Sequence, residues 1–554
     1  MTDAPGAIPQ DLLDAFEAYE RAIMANDLDA LDAAFAPGPE TLRGDAAGLL
    51  VGHDAISEFR GQRGGVPPRE ITRLEVRPLG PDAALLVSVS EYRDGGRGLQ
   101  TQLWERRDGR WLITAAHVTG RAPAFDRSIW RTVGDPMYQG AYEGPLAGLT
   151  VAVKDLFAIK GFRIGAGNPS RLAEAGPEAT TAAAVSDLLR GGASIRGIAR
   201  TDEFAYSIAG RNAHYGTPPN GALPGALPGG SSSGPAAAVA LGQAEVGLAT
   251  DTAGSIRVPA SYQGLWGLRT THGLVPRQGL VPLAQSFDTV GWLTRDGATL
   301  EQVASWAIER HASDAPAADV PGGPGAPRAD ALPRRLLVPA EALEAVEPGT
   351  RAAFEAWLAR LSGLDVVDGV EVGRVGDLAR LQEGFRVVQA AEAWRNHGEW
   401  VAAHSGALGA DVAARFAAAS EVAPQAERDA RALLEAERER IRALVADALV
   451  VLPTAPGPAP SRAAAGREVE AARAATLRLT VLAGVGGLPA ISAPFLTVPS
   501  PLGAAPVGAC LIGPAERDVD LVRRMRELGA ATGTEEPPSP DPSHPSPTDR
   551  RSRA

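Results

Sequence analysis

Gly229-Gly-Ser-Ser-Ser-Gly-Pro235, an apolar run, and Thr250-Asp-Thr-Ala-Gly-Ser-Ile-Arg-Val-Pro-Ala260 form the stretch around which the chain is organised. Two glycine-rich, serine-bearing turns bracket Ala236 to Ala249. Gly229, Gly230 and Gly234 let the backbone around Ser231, Ser232 and Ser233 adopt angles that a side chain forbids, so its N–H groups can point into a shared cavity. Thr252-Ala253-Gly254-Ser255 has the same property. Ala236 to Leu241 is a good helix former and Val246 to Ala249 is short and apolar, so the unit reads as loop, helix, strand, loop. That geometry brings Ser231 and Ser255 close together. Two serines in facing turns need a base, and none of the eight histidines lies in this segment. Leu149-Thr-Val-Ala-Val-Lys154-Asp-Leu-Phe157 offers a lysine instead. Its apolar strand pattern ends at one cation, where desolvation lowers the pKa toward the working pH.

Val153-Lys-Asp-Leu156, Gly229-Gly-Ser-Ser-Ser-Gly234 and the run from Thr250 to Ala260, in this order and at these separations, resemble the amidase signature family over residues 135 to 530. The resemblance implies a Ser–cis-Ser–Lys triad, with Ser255 as nucleophile, Ser231 as the bridging serine after a cis peptide, and Lys154 as base. It implies an oxyanion hole made by the backbone N–H groups of Thr252, Ala253, Gly254 and Ser255. Many members have glycine where this chain has Ala253. Ala205, Tyr206 and Ser207 are carried over as substrate contacts, and Phe385, Gln389 and Trp394 are pocket candidates in the helical region where the family varies most. Asp251 and Arg257 flank the nucleophile turn and are expected to pair. His214 is read as structural.

The fold implied is α/β, an amidase signature α/β/α domain with a mixed central sheet over residues 136–533. Its reaction is hydrolysis of a small amide through an acyl-enzyme. No cofactor is implied, and no clustered His/Cys spacing suggests a metal. The short run before Lys154 resembles the compact indole-3-acetamide amidase type, which implies a neutral, aromatic or apolar amide as substrate. Two alternatives stand beside this reading. One is a ureido-compound hydrolase of the allophanate or biuret kind; the other is a non-catalytic binding protein on an amidase fold, against which the intact Lys154, Ser231 and Ser255 argue.

Residues 1–120 have a different pattern. Leu12, Leu13, Phe16, Tyr19 and Ile23 share a helical face, and Leu28, Leu31 and Phe35 continue it after a break at Asn26-Asp27. From Ile71 to Val118 the period becomes two, with strands near 71–78, 83–92, 99–107 and 110–118 and a type I′ hairpin signal at Asp108-Gly109. This resembles the SnoaL/NTF2-like α+β cone, of the kind fused to amidases. His53, Glu91, Trp104, Glu105 and His117 are its candidate pocket residues. Leu86, Val87, Leu103, Trp104, Leu112 and Ile113 are expected on an open sheet face that pairs two copies, so a homodimer is expected. Residues 121–135 read as an irregular linker and 534–554 as a disordered tail, too poor in apolar residues to fold.

At 554 residues the chain exceeds what one core supports. A net charge of −12 argues against nucleic acid as partner. The first residues lack the basic and apolar regions of a signal peptide, and no apolar run reaches the ~20 residues of a membrane span. Cys510 is the single cysteine, so no intrachain disulfide forms. A reducing, cytoplasmic location and a small-molecule partner are expected.

Overall fold

The computed structural model describes residues 8–45, 48–61, 69–92, 97–119, 125–314 and 331–534. The chain divides into two compact units, Met1–Phe125 and Asp126–Ala554. The tail expected over 534–554 lies, from residue 535, outside the described residues.

The first unit packs helices Gln10–Ala25, Leu28–Ala33 and His53–Gly61 on a six-stranded sheet. The sheet runs in the order Gly48–Val51, Leu42–Asp45, Arg110–Thr119, Arg97–Arg107, Ala83–Tyr92, Arg69–Gly80. The first helix stops at Asn26, whose φ of 53° is left-handed, and the Asp27 side chain caps the next helix by accepting from Ala30 N. Asp108 and Gly109 both take positive φ, 51° and 77°, as a type I′ turn requires. Leu12, Phe16, Tyr19, Leu31 and Phe35 bury against Leu86, Trp104 and Ile113. That corrects the expected open face. Neighbours such as Leu86 and Val87 point to opposite sides of a strand, and Leu86, Trp104 and Ile113 belong to the unit's own interior.

The second unit is built on an eleven-stranded mixed sheet. Its order is Gly369–Gly373, Arg335–Pro339, Leu449–Pro453, Gly503–Ile512, Ala490–Ser500, Trp266–Arg269, Thr289–Thr294, Val246–Asp251, Thr150–Lys154, Ser194–Ala199, Trp130–Tyr138. Both faces are covered. Leu336, Val338, Leu449 and Val451 enter one core, while Leu337, Val450 and Leu452 enter another, as period-two alternation demands of a sheet between two helical layers. Thr150–Lys154 lies between two parallel neighbours, Val246–Asp251 and Ser194–Ala199. The end of this strand, paired on both sides, therefore carries Lys154 into the interior.

The linker expected over 121–135 is in part a strand. Trp130–Tyr138 forms the edge of the large sheet against Ser194–Ala199, and the buried Trp130 donates its indole N–H to Gln243 Oε1 at 2.6 Å. Gly134 and Pro136 interrupt the strand pattern in sequence, and an edge position is where a proline is tolerated. The helical region expected to carry the pocket candidates comprises three helices, Leu378–Ala403, Ala410–Ser420 and Pro424–Asp447, with Pro424 in the first turn of the third.

Candidate active site

Lys154 has no solvent exposure. Its Nζ donates to Ser231 Oγ at 2.8 Å, Ser232 Oγ at 2.9 Å and Thr250 Oγ1 at 2.8 Å. Burial lowers its pKa to about 7, against the charges of Asp202, Asp251 and Asp288, which raise it. The first serine turn is shaped by close approach: a Cβ on Gly230 would collide with the Asp202 carboxylate, and the Gly230–Ser231 peptide is cis. Asp202 in turn accepts from Ser233 Oγ at 3.0 Å and from Gly210 N at 2.9 Å. The two serine turns meet where Ser232 N donates to Ser255 O at 3.3 Å.

Asp251 organises the second turn. Its carboxylate accepts from Gly254 N at 2.8 Å, Ile256 N at 3.2 Å, Arg257 Nε and Nη2 at 3.0 Å each, and Arg269 Nη1 at 3.2 Å. Burial pushes its pKa up, but the Arg257 guanidinium and its hydrogen bonds, with the Arg269 charge, hold the carboxyl well below the usual range. Gly254, at φ 117°, stands where a Cβ would lie 2.9 Å from Thr480 Cγ2. Thr480 Oγ1 donates to Ala253 O at 2.8 Å and Thr252 Oγ1 to Asp288 Oδ1 at 2.6 Å. Of the four N–H groups named for the oxyanion, that of Gly254 is thus engaged by Asp251.

A pocket of about 220 Å³ opens at Ala253, lined among others by Phe385, Arg386, Gln389, Arg473 and Leu477. Phe385 packs on Phe287 with ring centroids 4.1 Å apart. Phe385 and Gln389 therefore line it. Trp394 does not: nine residues on from Phe385, at about 100° each, is half a turn round the helix. It packs with Phe204, Ala205, Tyr206 and Phe416 in a separate apolar cluster, so Ala205 and Tyr206 also stand away from the pocket lining. Ser207 is buried, and its Oγ accepts from Ala209 N at 3.1 Å. His214 bonds Glu203 Oε1 at 2.8 Å, and Asn168 Nδ2 donates to the same oxygen at 2.6 Å. Sequence reading missed Ser232, Thr250, Thr480, Arg386 and Arg473. The first two were visible as hydroxyls beside named residues; Arg386 and Arg473 come from two distant helices with no local motif.

The first unit holds a cavity of about 80 Å³ lined by Tyr19, Arg43, Phe59, Arg60, Arg69 and Gln100, among others. The five residues expected there lie elsewhere. Trp104 is a core residue whose indole donates to Gln102, Glu91 pairs with Arg97, Glu105 with Arg107, His53 lies 3.2 Å from Asp32 O, and His117 is exposed. In Ala83–Tyr92 and Arg97–Arg107 alternation puts even-numbered positions such as Leu86 and Trp104 under the helices and sends Glu91 and Glu105 to the other face. Among the described residues no group of three His, Cys, Asp or Glu is arranged to hold a metal ion.

Residues 132–522 match the family model described as Amidase. The chain belongs to the amidase family. In the first unit, residues 3–122 match the AtzH-like family model. This amidase is 35% identical over 424 residues to Amidase 1 of Arabidopsis thaliana, covering 73% of this chain and 98% of that one. It is 30% identical over 332 residues to the chloroplastic outer envelope protein 64 of the same plant, covering 57% of this chain and 56% of that one. It also resembles the structure titled "An unexpected vestigial protein complex reveals the evolutionary origins of an s-triazine catabolic enzyme", at TM-score 0.62 and 28% identity, covering 70% of this chain and 85% of that one. No described helix of the amidase is long and apolar enough to cross a membrane.

Proposed function

We propose that the chain hydrolyses the C–N bond of a small carboxylic acid amide, with Ser255 as nucleophile, Ser231 as proton relay and Lys154 as base. Ser255 attacks the carbonyl while its proton passes through Ser231 to Lys154. The N–H groups of Thr252, Ala253 and Ser255 hold the tetrahedral oxyanion; Gly254, committed to Asp251, is left out. The proton then returns through Ser231 to the leaving nitrogen, and water hydrolyses the acyl-enzyme by the same relay.

One observation carries this reading. Lys154 is a fully buried amine with its pKa lowered to about 7, bonded to Ser231. Neutral, it has two N–H bonds and one lone pair. Ser232 and Thr250 take the two N–H bonds, and the lone pair is left for Ser231. Phe385, Leu477 and Val481 give the pocket an apolar wall suited to an aromatic or aliphatic acyl body. The buried lone cysteine, Cys510, fits a cytoplasmic location.

A second reading, hydrolysis of a ureido compound, is favoured by the AtzH-like first unit together with the likeness to the s-triazine catabolic structure. The experiment compares wild type and Ser255→Ala for labelling by a fluorophosphonate and for turnover of indole-3-acetamide, benzamide, short aliphatic amides, biuret and glutamine. Loss of both labelling and turnover in the variant is expected. Labelling of the variant at another residue sinks the nucleophile assignment, and biuret hydrolysed faster than any arylacetamide favours the second reading.

A further inference from the structure

We propose that the pocket beside Ala253 takes an amide that also carries a carboxylate, and that Arg473 is the residue that binds this carboxylate. The inference rests on the reading of Ser255 as the nucleophile, and it replaces the expected neutral substrate with an anionic one.

The pocket has an apolar side, Phe385, Leu477 and Val481, and a charged side on which Arg386 and Arg473 outnumber the carboxylate of Glu470. Arg473 comes from helix Gly466–Gly486, and its side chain is only 20% exposed. Its Nη1 donates to Glu470 Oε1 at 2.8 Å, while its Nε is buried with no acceptor among the described residues. A buried N–H without an acceptor is costly to keep unless something completes it. Arg386 reaches the pocket from Leu378–Ala403, and Arg415, from Ala410–Ser420, stands behind, its Nη1 donating to Tyr206 O at 2.9 Å. The charges of Arg473, Arg415 and Arg386 all act on the Tyr206 hydroxyl, which burial otherwise raises. Burial, and next to it the charge of Arg415, lowers the pKa of Arg473.

Glu470 lines the pocket too, but the carboxylates that partner Arg473 and Arg415 are much more exposed than these two cations. Glu383, Glu470 and Asp411 side chains are 61%, 58% and 58% exposed, against 19% for Arg415. Water screens the outer charges far more than the inner ones, so the inner edge of the cluster stays positive. A substrate carboxylate there accepts from Nε and the second terminal nitrogen of Arg473 in two parallel bonds, a planar fork that lysine does not present.

The test measures kcat/KM for primary amides paired with and without a terminal carboxylate: aliphatic amides against their ω-carboxy analogues, and phenylacetamide against 4-carboxyphenylacetamide. In at least one pair the carboxylate member is expected to win by about tenfold or more, mainly through KM, as one charge-assisted bidentate contact supplies. Arg473→Met erases that ratio, Arg473→Lys restores only part of it, and Arg386→Met, at an exposed position, reduces it less. Where no amide of the series turns over, the readout is the rate of Ser255 labelling by a neutral fluorophosphonate. Slowing by millimolar ω-dicarboxylic acids in wild type but not in Arg473→Met supports the inference. A wild type that prefers the neutral member of every pair, no slowing of labelling, or an Arg473→Met variant that loses rate equally on both members, overturns it while the amidase reading stands. A Ser255 that is not labelled at all refutes both.

Discussion

Replacing Asp251 by Asn changes one oxygen for an NH₂ group and tests whether the nucleophile turn is held by a buried ion network. The wild-type carboxylate serves two guanidinium groups, Arg257 and Arg269, all three side chains having no solvent exposure. Asp251→Asn leaves both cations without their counter-charge and sets an amide N–H against Arg257 donors 3.0 Å away. Removing one partner of a buried pair costs about 3–5 kcal/mol, and sharing by two arginines puts the loss at the upper end. Urea unfolding at neutral pH, followed by circular dichroism, measures it. The pH dependence has a defined sign. A carboxyl held below its usual pKa contributes stability that is fully present above the unfolded value of about 3.9 and is lost as pH falls through the folded one. The gap between wild type and variant is therefore flat from about pH 5 to 8 and narrows below about pH 4. A loss under about 1 kcal/mol, the range of an exposed pair, refutes the reasoning.

Gly254→Ala is expected to lower kcat/KM by at least about tenfold in steady-state assays, because φ 117° excludes a side chain at a cost of about 1–3 kcal/mol and the new methyl meets Thr480; an unchanged rate shows that the turn yields freely. Lys154→Met is expected to gain stability relative to wild type most at low pH. The wild-type amine, at about 7 when folded against 10.5 ordinarily, must be buried charged below that value, a penalty that fades as pH rises through this window; a stability difference independent of pH from about 6 to 10 contradicts the shift.

The central site was legible because its constraints are local. A strand of small apolar residues that ends in one lysine, and turns that need Gly230 and Gly254 to avoid Asp202 and Thr480, leave a signature in the sequence. The pocket wall has none. Arg386 and Arg473 sit on helices far apart in the chain, and the helical spacing that fits Phe385 and Gln389 turns Trp394 to the other side. In the first unit the period-two strands announced the sheet, but Arg43, Arg60 and Arg69 reach one cavity from three different elements. Trp130–Tyr138 was hidden by its glycine and proline, which only an edge strand accommodates.

The most direct measurement is the second-order rate of Ser255 acylation against pH, from about 5 to 10, in wild type and Lys154→Met. Lys154 must be neutral to accept the proton relayed from Ser255, so the account predicts a single rise with its midpoint at about 7 in wild type. The rise is lost in Lys154→Met along with most of the rate. A wild-type profile that is flat across this range, or that is still climbing steeply at its alkaline end as a lysine at the ordinary 10.5 would make it, contradicts it, as does a variant that keeps the wild-type rise.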